Sequence, residues 1–459
     1  MKNKNADPSS LLPPPPRSSR STLAWAALLL VPLAATSPAR ADDPVRLAEK
    51  AAVGSIFRVT SNSTINGELQ TPAEKDKPSE RVKIGGRSAI DYAERILAID
   101  AKDAEHKTLR IYEKIDFRKT AGDRTDEMTL RPAVRRLVLM KKGLAKVPFS
   151  PDGPLMWGEI DLLRTDLLVP ALAGLLPDQE VKTGDSWKAS AAAVAELTDL
   201  EKIEKGEVTC TLEKVESLGP RQVAHIRLAG TLEGINEDGP TRQILTGRLQ
   251  VDMGAQYISF LRIDGEHYLL DDKGKEAGKI TGTFELTRSP VSGLAALSDT
   301  AVKGLDVNPS EENTRLLYDS DETGVRFVHS RNWRVVRSTG RQITLDESDG
   351  SGLLITLDTA AGLPAAAQYL QEAIKEMQGR GAKLLDRNGP ERLADGLDRF
   401  TLEAQEGKEK VSMDYFVIRQ DKGGATLAAR LPAAQRDARK KELERLARSF
   451  VVTRRLDGK

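Results

Sequence analysis

Cysteine is nearly missing from this chain: Cys210 is the only one in 459 residues. A single thiol excludes an internal disulfide framework and any zinc site assembled from several cysteines. Histidine is scarce as well. His106, His225, His267 and His329 lie far apart and form no short ligand spacing, so they read as surface or strand residues. Aromatics make up 4% of the sequence, which leaves little material for stacking sugars or bases. Neither sign of charge dominates, with Lys+Arg 69 against Asp+Glu 68 and a net charge of +1. A nucleic-acid binder relying on a bulk basic field is therefore excluded. Gly-x-Ser-x-Gly does not occur, which argues against a hydrolase of the nucleophile-elbow type. What is present is 30% charged residues without a long like-charge block, the composition of a folded, soluble protein.

Residues 1–41 read as a targeting segment. Lys2, Lys4, Arg17 and Arg20 make a basic start, Leu23 to Ala35 an apolar stretch, and Ala39-Arg40-Ala41 a small-residue cleavage site before Asp42. The apolar stretch spans about 20 Å as a helix, short of a hydrocarbon core of about 30 Å. No Cys follows it to accept lipid, and Arg17 and Arg20 are not adjacent as twin-arginine export requires. Without residues 1–41 the net charge becomes −3. No second apolar run reaches spanning length, so the expectation is an exported mature chain, periplasmic or extracellular, with no transmembrane segment.

From Val53 to about Arg288 apolar and polar residues alternate in short runs. Residues 109–117, 223–232, 245–251, 257–263 and 281–286 carry the period of two. Turn signals such as Asn236 to Pro240 and Asp271 to Gly274 separate some of them. One polar face and short connections imply antiparallel pairing with one wet side. Asp161 to Leu176 breaks the rule: Leu163, Leu167, Leu168, Ala171, Leu172 and Leu175 are spaced as on a helix, which Pro170 must kink or split. Residues 73–80 read as a solvated loop tip. After a linker, the last part adds short strand candidates and a long hairpin loop, Asp346 to Gly352. A helix from Pro364 to Gln378 then follows, with Ala366, Leu370, Ala373, Ile374 and Met377 as its buried stripe. Three further strands precede a closing helix, Ala434 to Phe450.

Motifs for chemistry fail on inspection. Gly274 to Thr281 has three residues between its glycines where a phosphate loop needs four, and Ile280 occupies the hydroxyl position. In Asp346 to Gly352 the calcium-loop register breaks because Gly350 holds the fifth place, so a hairpin turn is expected. Cys210, within Val208 to Leu212, reads as a small buried strand residue. Trp187, in Gly184-Asp185-Ser186-Trp187, and Trp333 read as core anchors, with ligand lining as the alternative for Trp187. Leu162 to Leu176 reads as a buried helix, with a plug over a lipid cavity as its alternative.

Residues 324–335, running from a short strand through Asn332-Trp333-Arg334-Val335, together with the ending Arg448-Ser449-Phe450, resemble PsbP-like α-β-α sandwich domains. That resemblance covers about 140 residues and carries no catalytic residues over. The first half resembles uncharacterised bacterial exported β-rich proteins through its Gly-Asp-x-Trp turn. In architecture it is similar to the half-barrel of lipoprotein carriers, in which a curved sheet wraps a helix and shelters acyl chains.

The expected fold class is α+β: an antiparallel β-rich domain over 42–290, barrel or half-barrel like, a linker 291–312, a PsbP-like α-β-α sandwich over 313–453, and a tail 454–459. The expected function is non-enzymatic binding of a protein partner or an apolar ligand in the cell envelope. A lipid carrier of the lipoprotein-carrier type and an envelope hydrolase are the alternatives. No catalytic, cofactor-binding or metal-ligating residue is assigned, no cofactor is expected, and no nucleic-acid partner.

Overall fold

Alternating apolar and polar residues dominate the sequence, and strands follow them nearly everywhere. In the computed structural model the described residues are 43–70, 80–100, 105–143, 145–164, 166–237, 239–271, 273–393 and 396–456. All described residues belong to one compact unit, 41–459. Residues 1–41, read above as a targeting segment, and residues 73–79 of the expected loop tip lie outside the described residues.

A twelve-stranded sheet takes up the first two-thirds. Its first strands are β1 (Ile56–Gln70), β2 (Arg81–Asp100), β3 (Glu105–Ala121), β4 (Arg124–Thr129), β5 (Arg136–Lys142) and β6 (Ala145–Phe149). Helix α1 (Trp157–Arg164), the 3-10 helix Val169–Leu175, β7 (Ser186–Lys188) and α2 (Ala191–Thr198) come next. The long strands β8 (Lys202–Leu218), β9 (Arg221–Asn236), β10 (Gly239–Asp252), β11 (Tyr257–Leu270) and β12 (Glu276–Pro290) complete it. The order is β6-β5-β3-β2-β1-β12-β11-β10-β9-β8-β7, with β4 paired to β3. Pro170 splits the helical segment as its chemistry demands. It falls in the first turn of the 3-10 helix, where a missing N–H breaks no internal hydrogen bond.

Beyond β12 come a four-residue helix α3 (Asp299–Val302) and two smaller sheets. The three-stranded one holds β13 (Leu316–Ser320), β14 (Val325–His329) and, from the far end of the chain, β22 (Val451–Val452). The seven-stranded one joins β15 (Arg334–Ser338), β16 (Gln342–Asp346), β17 (Gly352–Asp358), β18 (Lys383–Arg392), β19 (Asp398–Glu406), β20 (Glu409–Gln420) and β21 (Gly423–Pro432). Its order is β15-β16-β17-β21-β20-β19-β18. Helix α4 (Ala366–Gly379) packs Leu370, Ala373 and Met377 with Phe400, Leu402 and Tyr415. Helix α5 (Arg436–Ser449) packs Leu443, Leu446 and Ala447 with Phe416, Leu427 and the fully buried Trp333. Strand β18 escapes sequence reading because it is exposed along almost its whole length and so shows no alternation.

These observations correct the expected fold class. Strand accounts for 57% of the described residues and helix for 16%, in open antiparallel sheets. The large sheet is not a barrel, because its path ends at β6 and at β7, which do not pair with each other. A PsbP-like α-β-α sandwich is not what the last part forms: α4 and α5, of 14 residues each, are single helices beside a seven-stranded sheet rather than helical layers. The helices expected over 364–378 and 434–450 overlap α4 and α5, but two helices of 14 residues each are too short to cover seven strands.

Candidate functional site: the inner face of the twelve-stranded sheet

Because side chains alternate along strands, one set of positions on each strand faces the helical segment. On β1 these are Phe57, Val59 and Ser61, and the register carries the same face to Glu94, Tyr92 and Ile90 of β2 and to Arg288 and Leu286 of β12. Here the face is fully covered. Leu162, Leu163, Val169, Leu172 and Leu175 of the helical segment join Val59, Tyr92, Leu139, Leu261 and Leu286 in one hydrophobic core. Leu162 to Leu176 therefore packs as core.

Charges are buried within this covered half. Asp166, between α1 and the 3-10 helix, receives Arg110 Nη1 at 2.6 Å and the Tyr112 hydroxyl at 2.6 Å. Arg110 Nε lies 3.3 Å from Glu94, whose other oxygen is 3.2 Å from Arg288 Nε; Arg288 reaches Glu49 at 2.9 Å. The four side chains Asp166, Arg110, Glu94 and Arg288 are fully buried. Burial and the neighbouring Asp166 carboxylate raise the Tyr112 hydroxyl well above its ordinary range. Burial raises the Tyr92 hydroxyl too, against the opposing pull of Arg110. Two more buried carboxylates pin the helical segment. Glu159 meets Arg131 at 2.8 Å. Glu196 meets Lys141, Lys146 at 3.1 Å and the Leu168 N–H at 2.7 Å. Burial alone would raise the Glu196 carboxyl, but Lys146, Lys141 and that N–H outweigh it and hold it low. These pairs are enclosed and fix the helical segment on the sheet; the Glu94 carboxylate is held by charge, its contacts with Arg110 and Arg288 being ion pairs without hydrogen-bond geometry.

Past these ranks the strands continue and the helical cover does not follow. Ile65 and Leu69 of β1, Val82 and Ile84 of β2, Leu269 of β11 and Ile280 of β12 are half-buried and belong to none of the hydrophobic clusters. Phe117, Met128, Ile263 and Phe284 border them, each packed in part against the main core. One cross-strand rank reads Lys119, Gly86, Ile65, Gly282, Gly265, Leu245, Gly230. Several inner glycines let strands coil tightly: a Cβ on Gly247 would stand 2.4 Å from the Arg262 carbonyl, and one on Gly67 2.2 Å from the Lys279 carbonyl. Inner positions 63–69, 82–88, 241–247, 263–269 and 278–284 hold no Asp, Glu, Lys or Arg; His267 is the one titratable side chain among them. The outer face, by contrast, is laced with ion pairs such as Arg58–Asp91, Lys205–Glu233 and Arg262–Asp264.

The residues singled out by sequence are dispersed. His106 is on β3, His225 on β9 beside Glu216 at 3.2 Å, His267 on β11, and His329 is buried at the end of β14. Among the described residues no three His, Cys, Asp or Glu side chains gather as a metal site needs. Cys210 is buried opposite Leu228, and burial pushes its thiol up to about 12. Trp187 is only partly buried, donating to the Leu175 carbonyl at 2.9 Å beside a surface hollow of about 730 Å³ that also touches Asp178 and Lys188. Trp157 packs partly against the main core. Residues 346–352 form the β16–β17 hairpin, and Asp271 and Lys275, hydrogen-bonded through their backbones, close the β11–β12 connection. Sequence reasoning missed both the buried ion chain and the uncovered apolar face. The signal was there in part: Glu94 and Arg288 stand at apolar-phase positions, and glycines recur at inner-phase positions of β9, β11 and β12; Arg110 lies in the polar phase beside Leu109 and Ile111 and reaches the inner face through the register shift between β2 and β3.

No family model matches the chain, and no curated protein does. Among solved structures, cyanobacterial PsbP (CyanoP) from Synechocystis sp. PCC 6803 is similar at 18% identity over 30% of this chain and 92% of that one, with a TM-score of 0.23. MucB is similar at 12% identity over 87% of this chain and 94% of its own, TM-score 0.16. Lipovitellin, in a structure describing its lipid–protein interactions, is similar at 9% identity over 54% of this chain and 27% of its own, TM-score 0.31. At these scores none of the three sets a fold or an activity for the chain. Among the described residues no helix is long and apolar enough to cross a membrane.

Proposed function

We propose that this is an exported, non-enzymatic binding protein of the cell envelope that holds an apolar ligand on the uncovered half of the inner sheet face. The observation that carries the reading is the run of half-buried, uncharged side chains around Ile65, Ile84 and Ile280, left outside every packed cluster. Apolar side chains left outside a packed core on an uncharged face mark a candidate binding face. The targeting segment 1–41 supports export. The division into 42–290 and 313–453 is kept in this reading, with the ligand on the first region. N-phenyl-1-naphthylamine, which brightens in apolar surroundings, tests it. The purified chain is expected to bind the dye saturably, and Ile84→Glu and Ile280→Glu each to weaken binding at least tenfold while the fold is retained. Absence of saturable binding, or binding indifferent to both substitutions, overturns the reading.

A further inference from the structure

Gly265 stands apart from the other glycines of this face. Glycine inside a strand weakens it and normally marks crowded backbones, an unusual conformation or a close-lying ligand. At every other inner-position glycine within these strands, among them Gly67, Gly247 and Gly282, an added Cβ would come within 3.0 Å of a neighbouring atom (the hairpin-turn residue Gly239 aside). At Gly265 the only atom near a Cβ is the Ile244 carbonyl oxygen, at the ordinary contact distance of 3.7 Å. Nor does Gly265 have the positive φ that favours glycine. Neither crowding nor conformation explains it, and what remains is the space left over its Cα, between Ile263 and His267 along the strand and Gly282 and Leu245 across it.

The same rank ends at a charge. Lys119 of β3 shares the inner face, is exposed and, among the described residues, has no ion-pair partner; the cross-strand Asp126 is engaged by Arg124 at 3.0 Å. Four strand spacings separate Lys119 from Gly265, about 19 Å along the sheet, and the inner positions between them, Gly86, Ile65 and Gly282, are uncharged. We propose that the ligand is a free long-chain fatty acid, its carboxylate at Lys119 and its tail crossing the strands to end over Gly265. The proposal rests on the binding reading above and deepens it. A cation at one end of an uncharged track complements an amphiphile with one anionic end.

Calorimetric titration of the purified chain with palmitate, octanoate and hexadecanol tests this. Gly265→Leu is expected to weaken palmitate at least tenfold and to leave octanoate, too short to reach it, within twofold. Lys119→Met, an exposed substitution that the fold tolerates, is expected to weaken palmitate and octanoate about tenfold and hexadecanol not at all. Gly265→Ala, whose Cβ fits, is expected to unfold no earlier in urea than the parent. Palmitate affinity unchanged by Gly265→Leu, or carboxylate and alcohol weakened equally by Lys119→Met, overturns the assignment while leaving the binding reading intact. Failure of the parent chain to bind any of the three, together with the dye, ends both.

Discussion

The two halves of the inner sheet face invert the usual expectation about where charge belongs. The half sealed by α1, the 3-10 helix and α2 contains five buried charged groups in an alternating line, Asp166, Arg110, Glu94, Arg288 and Glu49. The half left open carries mainly isoleucine, leucine, valine and glycine between its polar residues, with Lys119 its one charged side chain along the rank through Ile65. Burying a charge is costly unless it is paired, and leaving apolar surface in water forfeits about 25 cal/mol per Å². A chain selected for stability alone would exchange the two. The covered half uses charge to fix the helical segment in one register on the sheet, and the open half keeps its apolar surface for something that arrives from outside.

The largest expected effect breaks the covered half. Arg110→Met leaves Asp166 and Glu94 buried without their shared cation and is expected to cost about 3–5 kcal/mol, read as a fall in the urea midpoint. On the outer face of the same sheet, Arg58→Ala removes the exposed Arg58–Asp91 pair and is expected to cost under about 1 kcal/mol. Equal losses at the two positions would remove the distinction between them.

A smaller effect separates glycines that strands require from the one they do not. Gly247→Ala drives a Cβ against the Arg262 carbonyl and is expected to cost about 1–3 kcal/mol. Gly265→Ala is expected to be neutral or to stabilise by about 0.4–1 kcal/mol, through the unfolded chain. Thermal unfolding of the two variants decides this, and a loss at Gly265 comparable with that at Gly247 would return Gly265 to a packing role.

The pH dependence is the finest test. The Glu196 carboxyl is held below its ordinary range, since Lys146, Lys141 and the Leu168 N–H overcome the effect of burial. Such a group binds its proton more readily in the unfolded chain. Its contribution to stability is complete above the ordinary glutamate range, about 4.3, and is lost as pH falls through the lower folded value. Urea midpoints of the parent are expected to drop in acid more steeply than those of Glu196→Gln. Parallel pH profiles would show that Glu196 contributes nothing to holding the helical segment on the sheet.

Much of the architecture was legible because it rests on short-range patterns. Period-two runs such as 257–263 and 281–286 lie within β11 and β12, and Pro170 divides the helical segment as its missing N–H requires. How the strands assemble was not legible. Whether a sheet closes depends on pairings between distant strands such as β1 with β12, which no local window contains. The inner face stayed hidden for the same reason. Glu94 and Arg288 are 194 positions apart and meet only through β1, while the glycines of one rank come from four strands. In sequence each is an ordinary strand glycine.

The central claim is that the uncovered ranks, and not the covered ones, receive the ligand. Methyl-resolved NMR with a fatty acid bearing a nitroxide on its tail measures this directly. The account predicts broadening of the Ile65, Ile84 and Ile280 methyl signals with those of Leu163, Leu172 and Leu175 in the helical segment unaffected; broadening concentrated on those leucines, or no broadening anywhere, contradicts it.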